Sequence, residues 1–364
     1  MNPCEILYIC GVPVYNQSIS GNGIILNILN SLRSEYDIKY IGIGGWRHEN
    51  AEGFLNFTDN ISEKNNEWIN KNIPDHKILF LAGDDLTNQQ ISNLHKKHNN
   101  KTIMYMMTNW VYGSNGNLPS WQVPHPEIEG TLKSDISKKR YNTYKKNNLH
   151  IVNASSYSES VQKKSFFHDL SSSIIPLPFS EIYVSNPVKE KKDDDKIILW
   201  GSAHPKTRRK GLIEFTSILN ILKNKYPESC DVKVHTAGPN PDFNSPFEVI
   251  NKGLLNRRDM SLAYQDASVF ALTTLADGGP MMAAESIKNK TPLVSFNTNI
   301  SIDIVENGIN GYTVNSNEEF ADKLYQILFK NNYKIDFNYV TKFNGESVVI
   351  SKYKTLFNSM LHNV

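Results

Sequence analysis

Short apolar runs alternate with amphipathic helical ones along this chain, and that alternation restricts the fold more than any other feature. Strand candidates lie at 5–10, 38–42, 77–81, 102–107, 150–153, 174–176, 196–200, 231–237, 268–273 and 291–295. Helix candidates lie between them, at 23–34, 88–98, 157–164, 211–225, 259–265 and 317–330. Strands that alternate with helices build βα units and parallel sheets. The series occurs twice, separated by Pro176-Leu177-Pro178 and a charged stretch from Ser185 to Asp195 that reads as an exposed connection. The pattern predicts an α/β protein with one domain over 1–180, a second over 195–340, and a last helix near 345–361. No short-period repeat or low-complexity segment interrupts it.

Composition narrows the class. The chain has 364 residues, enough for two domains, with 39% hydrophobic and 21% charged residues. A net charge of +2 gives no global argument for nucleic acid. The three cysteines, Cys4, Cys10 and Cys230, show no metal-ligand spacing and read as free thiols in a reducing compartment. The opening residues lack a basic and long apolar leader, and no apolar run reaches the roughly 18 residues of a membrane span. The expectation is a cytoplasmic protein, with peripheral contact at the inner membrane face as the remaining option.

Parallel sheets place ligands at the carboxyl ends of their strands, so the segments after each strand carry the functional reading. After the first strand, Ser20-Gly21-Asn22-Gly23 precedes a helix. Gly21 and Gly23 would let backbone approach a ligand, although Ser20 could equally be a plain helix cap. The loop is not a full dinucleotide fingerprint, which argues against a dehydrogenase. After the strand at 196–200 come Gly201 and Ser202, then Lys206, Arg208, Arg209 and Lys210, four cations within five residues. At a strand end these suit a diphosphate clamp, with charge-assisted contacts worth about 1.5–3 kcal/mol each when desolvated; as a solvated run they would contribute little.

The turn Gly253-Leu254-Leu255 could offer backbone to a flat base or be an ordinary strand end. Trp110, Tyr112 and Trp121 sit in a long polar loop and could stack on sugar rings, or mark a protein contact or core. The basic segment 133–148 would suit an anionic membrane surface or a solvated helix. The ten histidines are scattered without ligand spacing, so no metal site is expected.

The densest cluster is Leu275 to Val314. Asp277 and Glu285 are separated by seven residues, Gly278-Gly279-Pro280 follows the first acid, and Met281 opens a helical run that carries the second. A helix N-terminus preceded by glycines favours a phosphate. Glu285, one turn further in, is placed for a hydroxyl-rich group.

These elements together resemble the group 1 glycosyltransferases, the large retaining family with a Glu-x7-Glu pattern. The resemblance runs through Gly201, Arg209-Lys210-Gly211, Gly253-Leu254-Leu255, Asp277 to Glu285, Thr291-Pro292-Leu293-Val294 and Glu306-Asn307-Gly308 to Gly311. The loop at Trp110 is similar to that of exopolysaccharide, colanic-acid-type members. The resemblance implies a GT-B fold, two Rossmann-like α/β domains facing each other across a cleft, with the last helix (341–364) returning to the first. It implies a nucleotide-sugar co-substrate, no cofactor and no metal. Lys210 would hold the donor diphosphate, with Arg208 or Arg209 supplying the second cation and Gly201 and Ser202 beside it. Asp277 would lie near the transferred sugar, Gly278, Gly279, Met281 and Met282 would meet phosphate and sugar, and Glu285 would accept from the ribose.

Three positions depart from the pattern. The first acid is Asp rather than Glu, Ser202 replaces the usual Arg, and Met107 and Thr108 stand where a histidine is usual. The expected activity is transfer of a sugar from a nucleoside diphosphate to an acceptor hydroxyl of a glycan or lipid-linked precursor. The alternatives are a catalytically weakened protein that binds nucleotide sugar or glycan, and a transferase acting on nucleic acid or protein.

Overall fold

The structure is a computed structural model that describes residues 3–10, 21–42, 54–55, 64–81, 86–106, 132–179, 196–330 and 336–362. Contacts divide the chain into two compact units, Met1–Pro178 with Glu346–Val364, and Phe179–Gly345.

The first unit holds a seven-stranded, all-parallel sheet. Its strands are β1 (Cys4–Cys10), β2 (Ile38–Gly42), β3 (Phe54–Leu55), β4 (His76–Leu81), β5 (Lys101–Met106), β6 (His150–Asn153) and β7 (Ser172–Ile174), in the order β3-β2-β1-β4-β5-β6-β7. The helices are α1 (Gly21–Ser31), α2 (Asn66–Asn72), α3 (Asn88–His98), α4 (Asp135–Lys146) and α5 (Ser156–Lys164). Strands buried on both faces read as unbroken apolar runs, which is why β1, β4 and β6 were legible. At the amino end of α3, Thr87 and Gln90 close a capping box, each side chain bonded to the other's backbone N–H.

The strand expected at 174–176 ends instead at Ile174. Pro176 has no N–H for the ladder, so pairing with β6 stops before it. Cys4 is a buried free thiol, pushed up to about 12 by burial, whereas Cys230 is exposed.

The second unit holds six parallel strands: β8 (Ile197–Gly201), β9 (Lys233–Ala237), β10 (Glu248–Asn251), β11 (Val269–Leu272), β12 (Leu293–Phe296) and β13 (Gly311–Val314), ordered β10-β9-β8-β11-β12-β13. Its helices are α6 (Leu212–Lys225), α7 (Arg257–Asp266), α8 (Met281–Lys288), α9 (Ser301–Ile304), α10 (Asn317–Phe329) and α11 (Phe337–Asn344). Phe215, Ile218, Leu219 and Leu222 recur at helical spacing and form the buried face of α6. Phe215 stacks on Trp200 of β8 with ring centroids 5.5 Å apart, so the helix is seated on the central strand. Leu324 and Phe320 of α10 belong to the same core.

Two strands of this unit were not expected from periodicity. β10 has no buried residue and lies at the sheet edge, so it lacks an apolar run. β13 begins at Gly311 and is only four residues long.

After Gly345 the chain rejoins the first unit as α12 (Glu346–His362). Val349, Tyr353, Leu356 and Phe357 form its buried face, with Phe357 against Tyr36 and Tyr353 against Phe80. The Tyr36 hydroxyl donates to Asn358 at 2.8 Å, and Lys101 donates to the Met360 carbonyl at 2.7 Å.

Phe215→Ala removes a fully buried ring from the seat between α6 and β8 and is expected to destabilise the protein by about 3–5 kcal/mol. Urea unfolding followed by tryptophan fluorescence reads this directly. A loss below about 1 kcal/mol would mean that the stack with Trp200 contributes little.

Candidate functional site

In the second unit the sheet order reverses between β8 and β11: β9 and β10 extend one way from β8, β12 and β13 the other from β11. A reversal of this kind opens a crevice at the carboxyl ends of the two strands. The segment after β8 carries Ser202 to Gly211, and the segment after β11 carries Thr273 to Pro280. The two are bonded to each other.

Backbone and side chain both contribute to that bond. The Leu275 N–H donates to the Arg209 carbonyl at 2.8 Å. The Trp200 indole N–H donates to the Thr273 hydroxyl at 2.9 Å, and that hydroxyl donates to the Lys210 carbonyl at 3.2 Å. Gly211 then turns the chain into α6 with φ of 71°, a left-handed conformation that a side chain rarely adopts. A Cβ there would lie 1.8 Å from the Thr273 carbonyl oxygen. The turn after β8 is thus pressed against the strand-end loop of β11, and only glycine fits.

This seating brings three charges together. One oxygen of Asp277, Oδ2, accepts from Arg209 Nη1 at 2.6 Å and from Lys210 Nζ at 2.8 Å. The side chains are 9% exposed for Asp277, 9% for Arg209 and 19% for Lys210. Burial alone would raise the Asp277 carboxyl, but Lys210 and then Arg209 outweigh it and hold it well below the usual carboxylate range. Burial draws the Lys210 ammonium below its ordinary value, with Asp277 opposing and Arg209 assisting. His204 is exposed, and partial desolvation followed by the same two cations draws its imidazole below the ordinary value. Two cationic side chains thus meet at a single carboxylate oxygen.

The other expected residues are distributed around it. Gly201 ends β8 beneath Met282, whose methyl lies 2.5 Å from where a Cβ would stand. Ser202 is buried, donates its N–H to the Ala237 carbonyl and accepts from the His204 N–H through its hydroxyl. Arg208 does not join the cluster: it pairs with Glu214 through both guanidinium arms, at 2.8 and 2.7 Å. Leu254 follows the left-handed Gly253 and is 76% exposed. Gly278 is buried, Gly279 half-buried, and Pro280 stands at the amino end of α8 without a side-chain cap. The N–H groups at a helix start left uncapped suit an anion.

Glu285 lies in the second turn of α8, buried. Its Oε2 accepts from the Tyr264 hydroxyl of α7 at 3.0 Å. Burial pushes its carboxyl up to about 7, with the Tyr264 hydrogen bond and the Arg257 charge opposing. Behind it, the Asn289 amide donates to the Glu285 carbonyl at 2.8 Å and accepts from Ser261 at 2.6 Å. Tyr264, Trp200 and Thr273 were not singled out in the sequence, because each acts through a partner 21 to 73 positions away.

Gly21 and Gly23 lie in the first turn of α1, in the other unit. Ser20, the aromatic loop with Trp110, Tyr112 and Trp121, and Met107 and Thr108 lie outside the described residues. The basic segment forms α4, with Arg140 and Tyr144 buried and Lys145 paired to Asp169 at 2.6 Å. Among the described residues no helix is long and apolar enough to cross a membrane.

Gly211→Ala is expected to destabilise the protein by about 2–4 kcal/mol in thermal or urea unfolding, since strain and overlap with Thr273 add. The Glu285 carboxyl, raised from 4.5 to about 7, binds its proton more tightly in the folded state than in the unfolded one. Its contribution to stability is full below pH 4.5 and is lost as pH rises through 7. Glu285→Gln, which keeps an acceptor for Tyr264, should therefore lose less stability than the parent between pH 5 and 8, by on the order of 2–3 kcal/mol. Parallel pH–melting curves for the two proteins would refute the assignment.

Comparison with known proteins agrees with this architecture. Residues 194–330 match the family model described as glycosyl transferases group 1. No curated protein matches the chain in sequence. Among solved structures, the chain is similar to sucrose-phosphate synthase from Thermosynechococcus elongatus (11% identity, 99% of this chain and 100% of that one, TM-score 0.70). It is similar to a glycosyltransferase from Rickettsia africae (16% identity, 100% of each chain, TM-score 0.66). It is also similar to an E. coli protein described as trehalose-6-phosphate bound with UDP-2-fluoro glucose (11% identity, 97% and 99%, TM-score 0.67). Identities this low speak for the fold alone, and the fold is GT-B.

Proposed function

We propose that the protein is a glycosyltransferase that moves a sugar from a nucleoside diphosphate to an acceptor hydroxyl with retention of anomeric configuration. The observation that carries this reading is the Arg209–Asp277–Lys210 cluster at the sheet reversal, at the end of the loop that leads into the uncapped start of α8. It lies within the segment that matches the group 1 glycosyl transferase model. One of the similar structures is described as bound with UDP-2-fluoro glucose, a nucleotide sugar.

In this reading the diphosphate lies against Lys210, Arg209 and the N–H groups of Met281 and Met282. Gly278 and Gly279 keep backbone close to it. Glu285 accepts from the ribose hydroxyls, and Leu254 flanks the base. The bond from the anomeric carbon to the phosphate oxygen breaks as the acceptor oxygen bonds the same carbon. The acceptor proton passes to the departing phosphate, so no enzyme nucleophile is required. Charge on the leaving diphosphate is neutralised by fixed cations and helix dipole, a role that elsewhere a metal ion can fill. The acceptor is a surface glycan or its lipid-linked precursor, with α4 a candidate for peripheral contact at an anionic membrane.

A second reading, a protein that binds nucleotide sugar without turnover, is favoured by one observation: the first acid, Asp277, is already engaged by both cations. Donor hydrolysis or transfer by the purified protein separates the two.

The direct test is a thermal-shift panel with UDP, GDP, ADP, CMP and NADH. A ligand at 100 times its Kd adds about 2.7 kcal/mol of stability, which raises the melting point by a few degrees. One nucleoside diphosphate is expected to stand out, and Glu285→Ala to weaken it by about 1–3 kcal/mol. If no nucleoside diphosphate moves the melting point, the donor site is misassigned.

A further inference from the structure

The position that would hold the first glutamate of the family pattern holds an aspartate, and its carboxylate is not turned toward open space. A single oxygen, Oδ2, bridges Arg209 and Lys210 at 2.6 and 2.8 Å, inside a shell that leaves the carboxylate and the guanidinium almost fully buried. The two cations are not equivalent. Arg209 is the more deeply buried, and its carbonyl is tied to the Leu275 N–H. Lys210 has its backbone held by Thr273, but its side chain is twice as exposed and ends in a rotatable ammonium with three donors. Two buried cations on successive residues repel each other strongly unless an anion lies between them. Asp277 is that anion.

Building on the nucleotide-sugar reading, we propose that Asp277 is the resident counter-ion of the diphosphate site. It holds the clamp together while the site is empty, and it yields Lys210 to the incoming diphosphate instead of hydrogen-bonding the transferred sugar. Donor binding is then an exchange of anions on Lys210, with the Arg209–Asp277 pair staying as the fixed half. The shortness of aspartate fits the role, since the carboxylate is kept back at the loop and its oxygen is shared by both cations. After the exchange Asp277 lies beside the diphosphate as a like charge, which limits how tightly the product is held.

The test uses inorganic pyrophosphate, which carries neither base nor sugar, and UDP, each titrated calorimetrically at low salt. Asp277→Asn is expected to bind pyrophosphate at least fivefold tighter than the parent, because the competing anion is gone. A carboxylate that contacts only the sugar would leave pyrophosphate binding unchanged. Unchanged or weaker binding by Asp277→Asn overturns the proposal. Should that variant fail to fold, Lys210→Gln keeps the Arg209–Asp277 pair and is expected to lose pyrophosphate binding at least tenfold with little change in melting temperature; retained affinity overturns the exchange equally. If the parent binds neither pyrophosphate nor UDP, the nucleotide-sugar reading itself falls, and the counter-ion role with it.

Discussion

One carboxylate oxygen shared by two cations is the interaction on which the candidate site depends. Removing three charges from water is costly, and mutual attraction offsets the cost only where geometry is tight. Here the geometry comes from elsewhere in the sheet. Trp200 sits on Phe215 and reaches Thr273; Thr273 reaches the Lys210 carbonyl; Leu275 reaches the Arg209 carbonyl. The central strand, the helix packed on it and the loop of the neighbouring strand thus all converge on one turn. The backbone that presents the two cations is held by these bonds on both sides.

The second acid is held in a different way. Asp277 lies between two cations, while Glu285 has a phenol and the charge of Arg257. Burial therefore dominates at Glu285 and is overridden at Asp277, so two carboxylates eight positions apart are pushed in opposite directions. The face between α7 and α8 is correspondingly polar, with Ser261, Gln265 and Asn289 buried and bonded to one another. A polar helix interface holds its register through directed hydrogen bonds, where a greasy one would permit sliding.

Much of this was legible in the sequence, for reasons that can be named. The central strands are short apolar runs bounded by turn residues, and periodicity finds such segments. The edge strand β10 has no buried side to reveal it. The site was visible as a list of residue types, with cations after one strand and an acid, glycines and a helix after another. What spacing could not disclose was which cation faces which acid. Arg208, Arg209 and Lys210 are adjacent, yet the first turns to Glu214 and the other two to Asp277, a division imposed by the tight turn at Gly211. The Glu306 to Gly311 ending has a plain structural use: Asn310 is buried, accepting from the Glu306 N–H and donating to the Ile304 carbonyl, which shapes the turn before β13.

The path of the chain has its own consequence. The first unit is interrupted after Pro178 and resumes at Glu346, while Phe179 donates to the Asn344 carbonyl at 2.8 Å, so the interposed segment begins and ends at one point. On a ribosome, the strands of the first unit emerge early but must wait for the last seventeen-residue helix, α12, to cover Phe80 and Tyr36. The interposed unit has all of its own strands and helices available before that helix is made. The half that is synthesised first is therefore completed only after the interposed one, and its core stays open at Phe80 and Tyr36 until that helix arrives.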